Sequence, residues 1–503
     1  MERAERAYKQ LLEHLRQVAL LRSTATLVAW DQQTHMPRRG GELRAQQLAQ
    51  IAGLFQRRFA SPAVGRLLEE ARPLAEGLPP DADIAVILRE AQREYDRAKR
   101  VPPKLFSERA ELRSRARHAW EEARRENDFG LFRPWLEKVV RLMRRWAEAV
   151  DPAARPYDAL LDEYEPGETT ARLQGLFTPL REALRALVVR VREAGRDIDS
   201  SVLARACPID RQRDFARAVA AAIGFDFSRG ALDDAAHPFC SVISHEDVRL
   251  TSRYNERMFV DGLLGLLHEA GHGIYEQGLP GEHYGNALAD ACSHGIHESQ
   301  SRLWENLVGR SVGFWRHFLP RACTAIPGAF DGVTPEGFQR AVSRVTPTPI
   351  RTEADEVTYN LHIFVRFELE QALLAGDLAV RDVPAAWNDH YAADLGITPK
   401  NDAEGCLQDV HWSQTLVGYF PTYTLGNLYA AQLHDRAREE LGDLDGAFAR
   451  GEFAPLLEWL RERVYRHGRR YPPARLIELA TGAPPSPAPL LRHLSGVVDR
   501  VYG

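Results

Sequence analysis

The sequence predicts an all-α protein, predominantly helical, with one small β-sheet. Three observations predict it. Apolar residues recur at three- and four-residue intervals through most of the chain, the period of an amphipathic helix. Proline pairs and Asp-containing breaks divide these stretches into ordinary helix lengths. One segment, HPFCSVISHEDVRLTSRYN (237–255), instead alternates polar and apolar positions and carries β-branched residues, the pattern of a short β-ribbon.

The elements follow in order. Residues 2–22 place Ala7, Leu11, Leu12, Leu15 and Val18 on one helix face. The same patterning recurs at 42–58, 81–99, 104–126, 130–150, 169–194 and 210–223, with breaks such as Pro79-Pro80 and Pro102-Pro103 between. After the ribbon, helical patterning resumes at 257–278 and continues through the rest of the sequence. There is no repeat of fixed period, no low-complexity tract and no long flexible linker, so residues 1–503 are expected to form one unit.

Composition narrows the function classes. With 503 residues, 44% hydrophobic and 27% charged, the chain has the profile of a folded globular protein. A net charge of -5 gives no electrostatic reason to expect a nucleic-acid or anionic-membrane partner. No apolar stretch reaches the roughly 18 residues of a membrane helix, and the charged, amphipathic first residues lack the apolar core of a secretory signal. The five cysteines (Cys207, Cys240, Cys292, Cys323, Cys406) contain no C-x-x-C pair, which argues against a disulfide framework or a thiolate zinc site and fits a cytoplasmic location. Only five of the 65 basic residues are lysine. Arginine is therefore so common that residue type alone assigns none of them a role.

The histidines concentrate. Seven of 17 (His237, His245, His268, His272, His283, His294, His297) lie between 237 and 297. Within LLGLLHEAGHGIYEQG, His268-Glu269-Ala270-Gly271-His272 matches H-E-x-x-H. On a helix this spacing puts both imidazoles on one face, where they can share a metal ion, with Glu269 beside them as a proton acceptor. Leu263, Leu264, Leu266 and Leu267 predict that this helix is buried, giving the site a rigid support. A catalytic zinc needs a third protein ligand. A histidine at 278 would supply it, but that residue is Gly278. Downstream, Asp290, His294, His297 and Glu298 are candidates, and spacing does not choose among them.

Six motifs in register resemble the M32 family of metallocarboxypeptidases, the thermostable carboxypeptidase group related in fold to neurolysin and angiotensin-converting enzyme. They are His237-Pro238-Phe239, Asp247-x-Arg249-x-Thr251, His268-Glu269-x-x-His272, His297-Glu298-Ser299-Gln300, Ile350-Arg351-x-x-Ala354-Asp355 and Gly405-x-x-Gln408-Asp409-x-His411-Trp412. Leu27-x-x-Trp30-Asp31-x-x-Thr34-x-Met36-Pro37 is similar to the family's opening signature, so the likeness spans essentially the whole chain. It implies a neurolysin-like gluzincin fold with a deep substrate groove and the sheet near the active site. It also implies an N-terminal helical region of about 1–230 and a zinc-site region of about 231–430.

The resemblance assigns Glu298 as third ligand, completing a His268, His272, Glu298 set for zinc; cobalt or manganese would suit the same donors. It implies peptide substrates, a homodimer, and hydrolysis of the C-terminal peptide bond with Glu269 as general base. His411 and Tyr423 become oxyanion donors, with Tyr419 and Tyr429 as neighbouring alternatives to Tyr423. Arg351 becomes the sensor of the substrate carboxylate, the alternative being a structural ion pair with Glu353, Asp355 or Glu356. His237 is a substrate-contacting candidate on the ribbon, whose strand could bind a peptide backbone. The competing functions are an oligoendopeptidase of related fold and a non-catalytic helical binding protein.

Overall fold

The computed structural model describes residues 1–503. Every expected helix is present: Glu2–Thr34, Gly41–Phe59, Asp83–Arg100, Pro103–Glu126, Phe129–Val150, Thr170–Ala194 and Ile209–Ala222, followed by the motif helix Phe259–Gly278. The first helix continues past residue 22 because its tail is held differently. Buried residues line it only to Val18 and then at Trp30, so the apolar period fades. Arg44 of the next helix ties the tail down, donating from Nη1 to the Val28 carbonyl oxygen at 2.7 Å and from Nη2 to Asp31 Oδ2 at 2.5 Å. A short helix, Pro62–Ala71, was not anticipated. Its proline sits in the first turn, where no N–H is needed, and Val64 and Leu68 bury its inner face.

The expected ribbon is part of a three-stranded sheet of β1 (Gly230–Asp234), β2 (Cys240–Ser244) and β3 (Asp247–Ser252), in the order β1-β3-β2. Strands β2 and β3 are the antiparallel pair that alternation predicted, and β1 joins β3 in parallel. The β1 sequence, GALDD, starts with glycine and ends in two aspartates, residue types depleted in strands, so it carries no strand signal. His237 and Pro238 lie outside the ribbon, in a bend before β2. Phe239 is pinned at the strand entrance: its N–H donates to Thr251 Oγ1 at 2.9 Å, and its carbonyl accepts from Thr251 N at 2.9 Å.

The chain forms two compact units, each assembled from three separate stretches. The first comprises Met1–Lys99, Asp199–Val342 and Tyr429–Pro484. One of its cores packs Ala7, Leu11, Leu15 and Val18 against Phe59, Val64, Leu68, Val86, Ile87 and Tyr95. The second comprises Arg100–Ile198, Ser343–Leu428 and Pro485–Gly503. Within it, Phe177 meets Phe364 and Phe367 with ring centroids 5.2 and 5.4 Å apart, at the tilted and edge-on angles aromatic pairs favour. No helix is long and apolar enough to cross a membrane.

Candidate active site

The motif helix Phe259–Gly278 is buried as its leucines predicted: Leu263, Leu264, Leu266 and Leu267 are all within the core. It packs against β3 and against the short helix His294–Arg302, which Ser293 caps by accepting from Ile296 N. The crossing of the two helices is unusually close at Gly271. A Cβ at that position would lie 2.6 Å from the Gln300 carbonyl oxygen and 2.7 Å from Ser301 Cα. Only a residue without a side chain lets the backbones meet there, and this approach brings Glu298 to the two histidines.

Glu298 Oε2 lies 3.6 Å from His268 Nε2 and 3.5 Å from His272 Nε2. One ligand atom from each of the three residues falls within 4.8 Å of the others. Two ligands bonded to one tetrahedral zinc at about 2.0–2.2 Å stand ~3.4 Å apart, so the donor set fits a single ion. The outer contacts fit as well. His268 Nδ1 lies 2.8 Å from Glu305 Oε2, and His272 Nδ1 lies 3.1 Å from the His297 carbonyl oxygen. Both are acceptors, so each Nδ1 carries the proton and each Nε2 keeps its lone pair for a ligand bond. Arg302 Nε donates to Glu298 Oε1 at 2.8 Å, fixing the carboxylate from its other side.

The electrostatics agree with this division. Burial alone would lower His268, but the carboxylates of Glu298 and Glu305 outweigh it and raise the imidazole to about 9. Their field therefore draws positive charge to this spot, whether a proton or a metal ion. Burial and the neighbouring His297 lower His272 to about 3, so it is a neutral donor. Burial works to raise Glu298, but Arg302, His268 and His272 prevail and hold it well below the carboxylate range. Glu269 points the other way: burial, aided by Glu298 and Glu305, pushes it up to about 7, where a carboxyl group can both take and return a proton.

The other third-ligand candidates are engaged elsewhere or turned outward. His297 gives Nε2 to Glu276 Oε1 at 3.0 Å and stacks on His272, with ring centroids 4.4 Å apart. Asp290 lies 3.6 Å from Arg469, and His294 is exposed. His237 is exposed in the bend before β2. On the sheet, Asp247 holds Arg249 by two contacts of 2.8 Å, and the guanidinium covers the Trp30 ring at 4.3 Å, so this motif fixes the strand.

Arg351, His411 and Tyr423 belong to the second unit and form one cluster there. His411 Nε2 lies 3.0 Å from the Tyr423 hydroxyl. Tyr419 meets the Tyr423 ring edge-on, and Tyr429 is fully buried in the first unit. Burial lowers His411 to about 3, with Arg351 and Arg366 adding to the effect against Asp409. Arg351 does form an ion pair, but its partner is Asp409, outside its own motif: Nε and Nη2 reach Oδ1 at 3.0 and 2.8 Å, while Nη1 donates to the Tyr359 hydroxyl at 3.0 Å. Three of its five donors are thus committed, leaving one N–H on each terminal nitrogen.

Sequence reasoning missed Glu305, Arg302 and Arg366, and gave Asp409 no role. Glu305 carried a faint signal, standing two helical turns beyond Glu298. The segment Leu303–Val308, however, is a π-helix, whose wider turn a 3.6-residue period does not anticipate.

The family model described as carboxypeptidase Taq (M32) metallopeptidase matches residues 10–498. Thermostable carboxypeptidase 1 of Thermus thermophilus is 47% identical over 99% of both chains, and carboxypeptidase 1 of Bacillus subtilis is 38% identical over 98% of both. The crystal structure of the M32 carboxypeptidase from Deinococcus radiodurans R1 superposes with a TM-score of 0.95, at 40% identity and covering 99% of both chains. The chain therefore belongs to the carboxypeptidase Taq (M32) metallopeptidase family.

Proposed function

We propose that residues 1–503 act as a zinc-dependent carboxypeptidase that removes single residues from the C-termini of peptides. The observation that carries this reading is the convergence of His268 Nε2, His272 Nε2 and Glu298 Oε2 within 4.8 Å of one another, with buried Glu269 adjacent in the motif. These three residues would hold the ion, which when bound supplies a Lewis acid for the scissile carbonyl and lowers the pKa of water.

Glu269 takes the proton from the attacking water and returns it to the leaving amine. Its burial supports both halves of that task, since a desolvated carboxylate binds a proton more readily than an exposed one. Glu305 and the His297 carbonyl keep the two imidazoles in register, and Arg302 keeps Glu298 ionised and oriented. His411 and Tyr423 donate to the oxyanion. Arg351 offers its two uncommitted N–H groups as a fork for the substrate carboxylate. A cytoplasmic location and a homodimer complete the proposal; the solution mass tests the dimer.

Metal analysis with activity rescue tests the assignment. Gently purified protein should carry about one zinc per chain, lose peptidase activity to a chelator and regain it with zinc. Protein that hydrolyses peptides fully after the metal is stripped would overturn the reading. A related endopeptidase would give internal fragments instead, and mass spectrometry of the products separates the two.

A further inference from the structure

Asp409 is shared between two buried arginines. Its Oδ1 accepts from Arg351, and its Oδ2 accepts from Arg366 Nε and Nη2 at 2.9 and 2.7 Å. Two more of the five Arg366 N–H groups are committed as well. Nη1 donates to the His362 carbonyl oxygen at 2.8 Å and to the Tyr391 hydroxyl at 3.0 Å, and the plane covers the Trp387 ring at 4.2 Å. Arg366 is 0% exposed, so it cannot touch a substrate.

The charges of this cluster do not balance. Two guanidiniums face one carboxylate. His411 is neutral, because burial lowers it to about 3, and burial also lowers His362 well below its ordinary value. Asp355, four residues beyond Arg351, is also desolvated, but its carboxylate is held by Thr346, Val357 and Thr358 and pairs with neither guanidinium; Glu370 is a further buried carboxyl that faces Asp409. It is held by Tyr157, Trp412 and the Gly418 N–H, and burial pushes it up to about 7, so it adds little negative charge below neutral pH. One positive charge is left uncompensated in a desolvated place. Such a charge is costly unless an anion meets it. Arg351, with two N–H groups still available, is where that anion can be met.

We propose that Arg366 is a positioning residue for carboxylate recognition: by occupying one oxygen of Asp409, it leaves Arg351 only half-neutralised and keeps a positive charge at the Arg351 fork. Without Arg366, Asp409 would pair wholly with Arg351, and the fork would present no net charge to a peptide C-terminus. The inference rests on the proposed role of Arg351.

The test uses the zinc-loaded full-length protein and an N-blocked dipeptide free acid. Arg366→Met should raise KM roughly tenfold while kcat stays within about twofold, because the reacting groups are untouched. Arg366→Lys, which keeps the charge, should stay within about twofold of the parent KM. The double variant Arg366→Met/Asp409→Asn removes one charge of each sign and should return KM toward the parent value. An unchanged KM in Arg366→Met, an equal loss in kcat, or a double variant worse than the single one would overturn the proposal in favour of a packing role. Should Arg366→Met not fold, as judged by its melting curve, Arg366→Lys decides: a tenfold rise in KM overturns the proposal. Arg351→Gln separates the two levels. If its KM is unchanged, the reading of Arg351 itself fails; if its KM rises and that of Arg366→Met does not, only the present inference fails.

Discussion

His268 and Glu305 are joined by a 2.8 Å contact between Nδ1 and Oε2 that spans 37 residues of sequence. The contact fixes the tautomer of the imidazole and aims its Nε2 at Glu298. Glu305 is itself held by Arg302 Nη1 at 3.2 Å and kept ionised, at about 2, as Arg302 and His268 overcome its burial. A metal site built this way depends on a carboxylate that never touches the metal.

Glu305→Gln should therefore weaken zinc binding by about 10–100-fold, measured by competition with a chelating dye. The melting temperature of the protein in chelator should change far less than its zinc affinity. Equal zinc affinity in the variant and the parent would show that His268 needs no such support.

Gly271→Ala should be costly although alanine is the better helix former. The new methyl would meet the Gln300 carbonyl and Ser301 Cα, which are backbone and cannot step aside. The helices must separate, at a cost of about 1–3 kcal/mol, and Glu298 recedes from the histidines. Thermal denaturation and zinc titration should both register the loss; a variant as stable as the parent would mean the crossing has slack.

Glu269→Gln should keep its zinc and lose about 10²–10⁴-fold in kcat. The amide matches the carboxylate in size but accepts no proton. Normal turnover in a zinc-replete variant would remove Glu269 from the role of base.

Glu370 gives a pH signature. Burial raises its folded-state pKa to about 7, above the roughly 4.3 of an unfolded glutamate. The native state thus holds the proton more tightly, so the contribution of Glu370 to stability is fully present below about pH 4 and is lost as pH rises through 7. Chemical denaturation of parent and Glu370→Gln across pH 4–8 should show the parent losing stability relative to the variant over that window. Parallel profiles would mean that the donors from Tyr157, Trp412 and Gly418 already stabilise the ionised form.

Much of this was legible in the sequence, and the limits have physical causes. The helices showed because their buried faces keep a 3.6-residue period, as at Leu11, Leu15 and Val18. The tail of the first helix did not, because few of its residues are buried beyond that point. Strands β2 and β3 showed through their β-branched residues within an alternating segment, whereas β1 carries no β-branched residue and ends in two aspartates. His268, Glu269 and His272 were visible because one helix carries them at fixed spacing. Glu298 needed the family likeness, since its approach depends on a helix crossing made by Gly271 and Gln300. Glu305 stands on a local π turn that periodicity does not encode, and Arg302 is the last residue before it. The Arg351–Asp409–Arg366 arrangement joins three distant segments, and in a chain where nearly every basic residue is arginine, nothing in the sequence singled out Arg366.

The most direct test of the central claim is the rate at which the zinc-loaded protein cleaves one peptide prepared as the free acid and as the C-terminal amide. The account predicts release of the last residue from the free acid and cleavage of the amide slower by at least about a hundredfold, the scale of losing a charge-assisted contact to the terminal carboxylate. Equal rates on the two peptides, or the same internal fragments from both, would contradict it.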